Sequence, residues 1–137
     1  FRVRLLRYDR GRALADESAG TVGGRQPAWV REVVLECDGC PVIFAHTTLS
    51  TATRGRLSRW MEGLGDRSLG SLLFAHPGFR RERIEYLRLD HRHPLYRRAA
   101  AVAEVDGGLW ARRSLHRFSA QRVLVTEVFL PAIRRLR

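Results

Sequence analysis

The sequence predicts an α+β fold, a single antiparallel sheet of about six strands with helices on one side. Three observations lead there. Gln121–Pro131 is a β-branched, apolar run with a turn signal before it and Pro131 after it, the mark of a well-buried strand. Asp38-Gly39, a two-residue hairpin dipeptide, sits between two further strand-like runs. After Ser50 the apolar period changes from two to that of a helix.

Taken in order, Phe1–Tyr8 alternates as a strand, with Phe1, Val3 and Leu5 on one face. Asp9–Pro27 is polar and carries Gly20, Gly23 and Gly24, so it reads as a loop. In the strand Ala28–Cys37, Trp29, Arg31, Val33 and Leu35 share one face, and Val30, Glu32, Val34 and Glu36 the other. The face with two glutamates is taken as the wetter one, which puts Arg31 on the drier. The turn then feeds a third strand, Pro41–Leu49. In Thr53–Leu64, Leu57, Trp60, Met61 and Leu64 make one apolar stripe of a helix, closed by Gly63 and Gly65. Ser68 N-caps a short helix, Leu69–Phe74, whose free N–H groups offer an anion site.

Phe79–Leu89 is a strand whose apolar phase shifts around Tyr86–Leu87, the signature of a bulge. His93–Glu104 reads as a helix, with Pro94 in its first turn and Leu95, Ala99 and Val102 in phase; Gly107-Gly108 breaks it. Leu109–Phe118 is a strand, and Ser119-Ala120-Gln121 a short link into the last one. There are no repeats or low-complexity segments.

Length and an ordinary apolar share fit one globular domain, residues 1–137. The net charge of +11 would suggest a nucleic-acid partner, but its distribution argues otherwise. All 25 strongly basic residues are arginine, Lys and Asn are both absent, and the arginines run along the whole chain. That bias points to a GC-rich genome, and no nucleic-acid partner is expected. Cys37 and Cys40 merely flank the hairpin turn, and no further Cys or His pair at ligand spacing completes a metal site. Neither a signal peptide nor a membrane-spanning run is present, so cytoplasmic location without stable membrane insertion is the expectation. Because the chain starts at Phe1 inside a strand pattern, without an initiator Met, a preceding N-terminal part is expected.

The chemistry-bearing residues are Arg31 and Glu127. In the last strand, Val123, Val125, Glu127 and Phe129 share one face, so a carboxylate stands in an apolar row. Buried, it must be protonated, paired or facing a ligand. Patterning leaves two readings open: a buried Arg31–Glu127 ion pair, or a pocket in which Arg31 binds a carboxylate and Glu127 handles a hydroxyl or proton.

Trp29-Val30-Arg31-Glu32-Val33, the Asp38-Gly39 turn, Ser68–Phe74 (Ser-Leu-Gly-Ser-Leu-Leu-Phe), Leu109–Ser114 (Leu-Trp-Ala-Arg-Arg-Ser) and Leu124–Pro131 (Leu-Val-Thr-Glu-Val-Phe-Leu-Pro) resemble, in order and spacing, the chorismate–pyruvate lyase family. The resemblance spans essentially the whole chain and is most specific in its last two blocks. It implies a ligand site buried under helical segments and conversion of chorismate to 4-hydroxybenzoate and pyruvate, the opening step of ubiquinone biosynthesis. It also implies a monomer, with no metal or organic cofactor. The family's ligand-binding arginine falls on Arg31, its carboxylate on Glu127, and its backbone N–H contact on Leu69. His46 stands where better-known members carry Arg in the third strand, close to the expected site. The family's N-terminal helices, with a ligand-binding Met in a Ser-Met-Thr stretch, have no counterpart in this sequence. On this reading Arg31 holds a carboxylate, the Leu69 N–H a polar oxygen, and Glu127 acts as general acid or hydroxyl partner. The alternative is a small-acid-sensing module, since effector domains of some bacterial transcription regulators resemble the same fold.

Overall fold

The computed structural model describes residues 2–14, 27–50, 56–65, 67, 69–70, 78–118 and 121–135. Six strands form one sheet: β1 (Arg2–Arg12), β2 (Pro27–Cys37), β3 (Cys40–Ser50), β4 (Phe79–Leu89), β5 (Leu109–Phe118) and β6 (Gln121–Phe129). Their order is β1-β2-β3-β6-β5-β4, and all neighbours are antiparallel. Among the described residues the strands are joined by helices α1 (Arg56–Gly63) and α2 (Pro94–Ala100), Leu69 and Gly70 are also helical, and a 3-10 turn, Pro131–Arg135, ends the described chain. This is the α+β architecture expected.

The β2–β3 hairpin closes as its sequence dictates. Asp38 (φ 52°) and Gly39 (φ 76°) both adopt the left-handed region that the tight turn needs, and Cys37 and Cys40 face each other across it as free thiols. The β4 bulge falls elsewhere than expected, between Arg81 and Arg83. The apolar shift at Tyr86–Leu87 has another cause. Past the bulge, Tyr86 lies opposite Arg112 on one face, while Leu87 and Leu89 pack into the core on the other. β1 runs on to Arg12, into the stretch read as loop, whose remaining residues 15–26 lie outside the described set.

The helices do not lie on one side. On the first face, Val34, Phe44, Ala111 and Val128 meet Leu95 and Ala99 of α2. On the second, Leu49 and Val123 meet Leu57, Met61 and Leu64 of α1, with Trp60 and Phe79 beside them. Both faces of the central strands are apolar enough to need a cover. Thus α2 starts at the N-cap His93, whose ring accepts from the Leu95 N–H at 3.1 Å, with Pro94 at the first helical position. The α1 end is closed by Gly65 (φ 56°) and by Arg67, which donates to the Gly63 carbonyl at 2.8 Å. The expected residues Thr53–Gly55 of this helix lie outside the described set.

The glutamate-bearing face of β2 is not wet. Glu32 is buried beneath α2, where it meets the His46 Nδ1 at 2.7 Å and receives the Arg98 Nη1 donor at 2.9 Å. A strand flanked on both faces cannot keep a wet side, so this glutamate is satisfied by partners. His46 therefore points into this network, away from the second face. Burial alone would raise the Glu32 pKa. The His46 hydrogen bond, the His46 charge and the charges of Arg98 and Arg7 outweigh it and hold the carboxyl below its ordinary 4.5.

A depressed folded-state pKa lends stability that is complete above the unfolded value and drains as pH falls through the folded one. Glu32→Gln should therefore cost about 2–3 kcal/mol at pH 7, at the lower end because Arg98 can turn to water. The gap between wild type and variant should narrow below pH 4.5. Urea melts at pH 7 and pH 3.5 test this: no gap at pH 7 would show that the network is neutral to folding, and an equal gap at both would show that the ionisation of Glu32 does not set it.

Candidate active site

Antiparallel register places three rows of side chains on the second face. One row runs Val33, Ala45, Glu127, Arg112; the next Arg31, Thr47, Val125, Ser114; the third Trp29, Leu49, Val123, His116. Above the middle of this floor lies a cavity of about 610 Å³, within the range that encloses a small ligand. Its centre is small and apolar (Ala45, Thr47, Val125). Its charged lining is Arg31, Arg81, Arg112 and Glu127.

All three residues singled out in the sequence, Arg31, Leu69 and Glu127, line this one cavity. Arg31 and Glu127 are not an ion pair. They stand two strands and one residue pair apart, about 12 Å between Cα atoms on ordinary sheet spacing. That removes the first of the two readings that patterning left open. A six-membered ring with polar groups at opposite ends fits between two such side chains.

Arg31 is buried, 3% exposed. Its Nη2 donates to the Arg67 carbonyl at 2.6 Å and to the Gly65 carbonyl at 3.2 Å. The guanidinium thus ties the segment that carries Leu69 down onto the sheet. Burial pulls its pKa below the ordinary value, with Tyr8 acting in the opposite sense. Among the described residues its partners are neutral carbonyls, which leave its charge uncompensated, so the remaining N–H groups suit an anion. Leu69, 9% exposed, closes the cavity from above. Ser68 and most of the expected helix Leu69–Phe74 lie outside the described residues.

What meets Glu127 is Arg112, its direct cross-strand neighbour on β5. Nη2 and Nε of Arg112 donate to Glu127 Oε1 at 2.7 and 3.0 Å. This hydrogen bonding pushes Arg112 above its ordinary pKa. Glu127 Oε2 receives neither bond. Arg112 was missed as a site residue although it lies in the Leu-Trp-Ala-Arg-Arg-Ser block; a period-two count opposite Glu127 would have found it. His46, expected near the site, is on the far face.

Charge separates this cavity from a second, of about 600 Å³, at the far end of the β2–β3 hairpin. Among the described residues that one is lined by Glu104 and Asp106 against Arg135, a balance that does not favour a polyanion. In the first, among the described residues, three arginines face one glutamate, an excess of two positive charges.

Comparison with known proteins places the chain in a family. A family described as chorismate lyase matches residues 1–135. A probable chorismate pyruvate-lyase of Dechloromonas aromatica (strain RCB) is 74% identical over 133 residues, covering 97% of this chain and 76% of that protein. The probable chorismate pyruvate-lyase of Nitrosomonas europaea is 44% identical over 138 residues, covering 99% and 78%. Among solved structures, the PhnF C-terminal domain aligns with a TM-score of 0.68 at 12% identity, over 94% of this chain and 82% of that one. A GntR-family transcriptional regulator of Enterococcus faecalis V583 aligns at 0.56 and 12%, over 95% and 94%. At such identity these two show a shared fold alone.

The Arg31 tie has a measurable consequence whatever the ligand. Arg31→Lys keeps the charge but loses the planar fork. Amides of 64–70 should then exchange with solvent on the order of tenfold faster, while those of β6 stay protected. Equal protection in both proteins would show that the tie does not hold the segment.

Proposed function

The chain belongs to the chorismate lyase family, and we propose that its second-face cavity converts chorismate to 4-hydroxybenzoate and pyruvate, with residues 1–137 forming one lyase domain. It is an enzyme, a carbon–oxygen lyase. The observation that carries the site assignment is the pairing of a buried arginine with an Arg112-held glutamate across a small apolar floor. Two excess positive charges answer the two carboxylates of chorismate.

In this reaction the C3–O bond breaks, C4 loses its proton, and the enolpyruvyl methylene gains one to become the methyl of pyruvate. The ring becomes aromatic, so the reaction runs downhill. The protein's task is to hold the dianion, exclude water and assist the departing group. We assign Arg31 to the ring carboxylate, the Leu69 N–H to one of its oxygens, and Glu127 to the C4 hydroxyl. Glu127, already accepting two hydrogen bonds from Arg112, is placed to accept a third from that hydroxyl through Oε2. Arg112 is then the positioning residue for Glu127. This favours the hydroxyl-partner role of Glu127 over the general-acid role.

The sensing module remains the second reading because the regulator domains share the fold. The 74% identity to a probable lyase, against 12% to those domains, weighs for catalysis. Among the described residues no helix is long and apolar enough to cross a membrane. A cytoplasmic monomer acting on a small-molecule substrate is the proposed working form.

Incubation with chorismate should yield 4-hydroxybenzoate without added metal. Glu127→Gln should lower kcat on the order of 10–100-fold, the loss of one charge-assisted hydrogen bond to the hydroxyl; a loss on the order of 10²–10⁴ would instead favour the acid–base role. Arg31→Ala should chiefly raise KM, because a carboxylate loses a charge-assisted partner. A folded protein that binds 4-hydroxybenzoate but never forms it from chorismate would overturn catalysis in favour of sensing.

A further inference from the structure

Two polar side chains on β5 are left over once Arg31, Arg112 and Glu127 have their roles. Ser114 is 3% exposed and His116 8%, and both line the cavity. Among the described residues neither side chain has a hydrogen-bond partner. Buried polar groups are almost always paired, so two neighbours that turn unpaired groups into one cavity point to a ligand. Arg81 is the direct cross-strand neighbour of His116 and lines the same wall.

We propose that Ser114 and His116, with Arg81 at the rim, form the subsite for the carboxylate on the enolpyruvyl arm. The inference rests on the lyase reading and extends it to the second charge of the substrate. Two arginines are already committed, Arg31 to one carboxylate and Arg112 to Glu127. Among the described residues Arg81 is the remaining cation of the lining. Geometry agrees with this. The C3 substituent is adjacent to the C4 hydroxyl held at Glu127, and β5 is the strand next to β6 on that side. Ser114 lies level with Val125, and His116 one residue pair beyond it, away from Arg112. An arm leaving C3 over Val125 therefore reaches the Ser114 hydroxyl and the His116 ring. Burial, and next the charge of Arg81, hold the His116 pKa below its ordinary 6.5, so at neutral pH the ring donates one N–H without carrying a charge. Ser114 supplies a second donor and Arg81 the counter-charge.

The product 4-hydroxybenzoate lacks the enolpyruvyl arm, and this makes the subsite separable by experiment. In His116→Leu and Ser114→Ala, KM for chorismate should rise on the order of tenfold, and further in the double variant. The inhibition constant for 4-hydroxybenzoate should stay within about twofold, which also reports that the variant is folded. His116→Gln, which restores a donor, should recover part of the loss. If chorismate and 4-hydroxybenzoate weaken together, or neither changes, the subsite is not there. If the unaltered protein neither turns over chorismate nor binds 4-hydroxybenzoate, the lyase reading itself falls, and the subsite with it.

Discussion

Covering both faces of one sheet is the constraint from which the rest follows. Once α2 lies over Val34, Phe44 and Val128, and α1 with its following segment over Leu49 and Val123, β2, β3, β5 and β6 have no water-facing side in their middle. Every charge there must then be met by a partner, since an unpaired one costs several kcal/mol. On the first face the solution is internal. Glu32 is saturated by His46 and Arg98, and Arg113 donates to Thr126 at 3.1 Å. On the second face, among the described residues, the solution is incomplete: Arg31 has neutral carbonyls only, and Ser114 and His116 have no hydrogen bond.

The strands were legible because their signals are local. Asp38-Gly39 fixes the register of one hairpin, and the alternation of Gln121–Phe129 fixes which residues share a face with Glu127. Arg31, Leu69 and Glu127 could be named from motif blocks, and all three meet at one cavity. The errors came from what periodicity does not contain. It cannot tell how many faces of a sheet are covered, so Glu32 was read as exposed and both helices were put on one side. Nor does it give the neighbour across a strand pair: Arg112 is opposite Glu127 only because the β5–β6 link is two residues long and sets that register. Single-residue parity decided His46 as well. Its neighbours Ala45 and Thr47 line the cavity, and a side chain between them has to point the other way.

The regulator domains that share this fold show that the sheet and its two covers do not by themselves imply turnover. What a lyase needs besides affinity is a fixed environment for the groups that change in the reaction, here C4, its hydroxyl and the C3 ether oxygen. The Arg112–Glu127 pair provides such fixity. Two hydrogen bonds to one carboxylate oxygen leave the other aimed and rigid, and the pair is only partly exposed, so little solvent must rearrange during the step.

Arg31 joins binding to closure by the same economy. One side of its fork is spent on the Gly65 and Arg67 carbonyls, which places Leu69 over the cavity; the other N–H groups stay available to a carboxylate. A ligand anion that takes those remaining N–H groups leaves the two carbonyl bonds in place, so binding does not require the tie to break. Among the described residues the cavity keeps a net positive excess, which favours a ligand with negative charge at both ends over a neutral one.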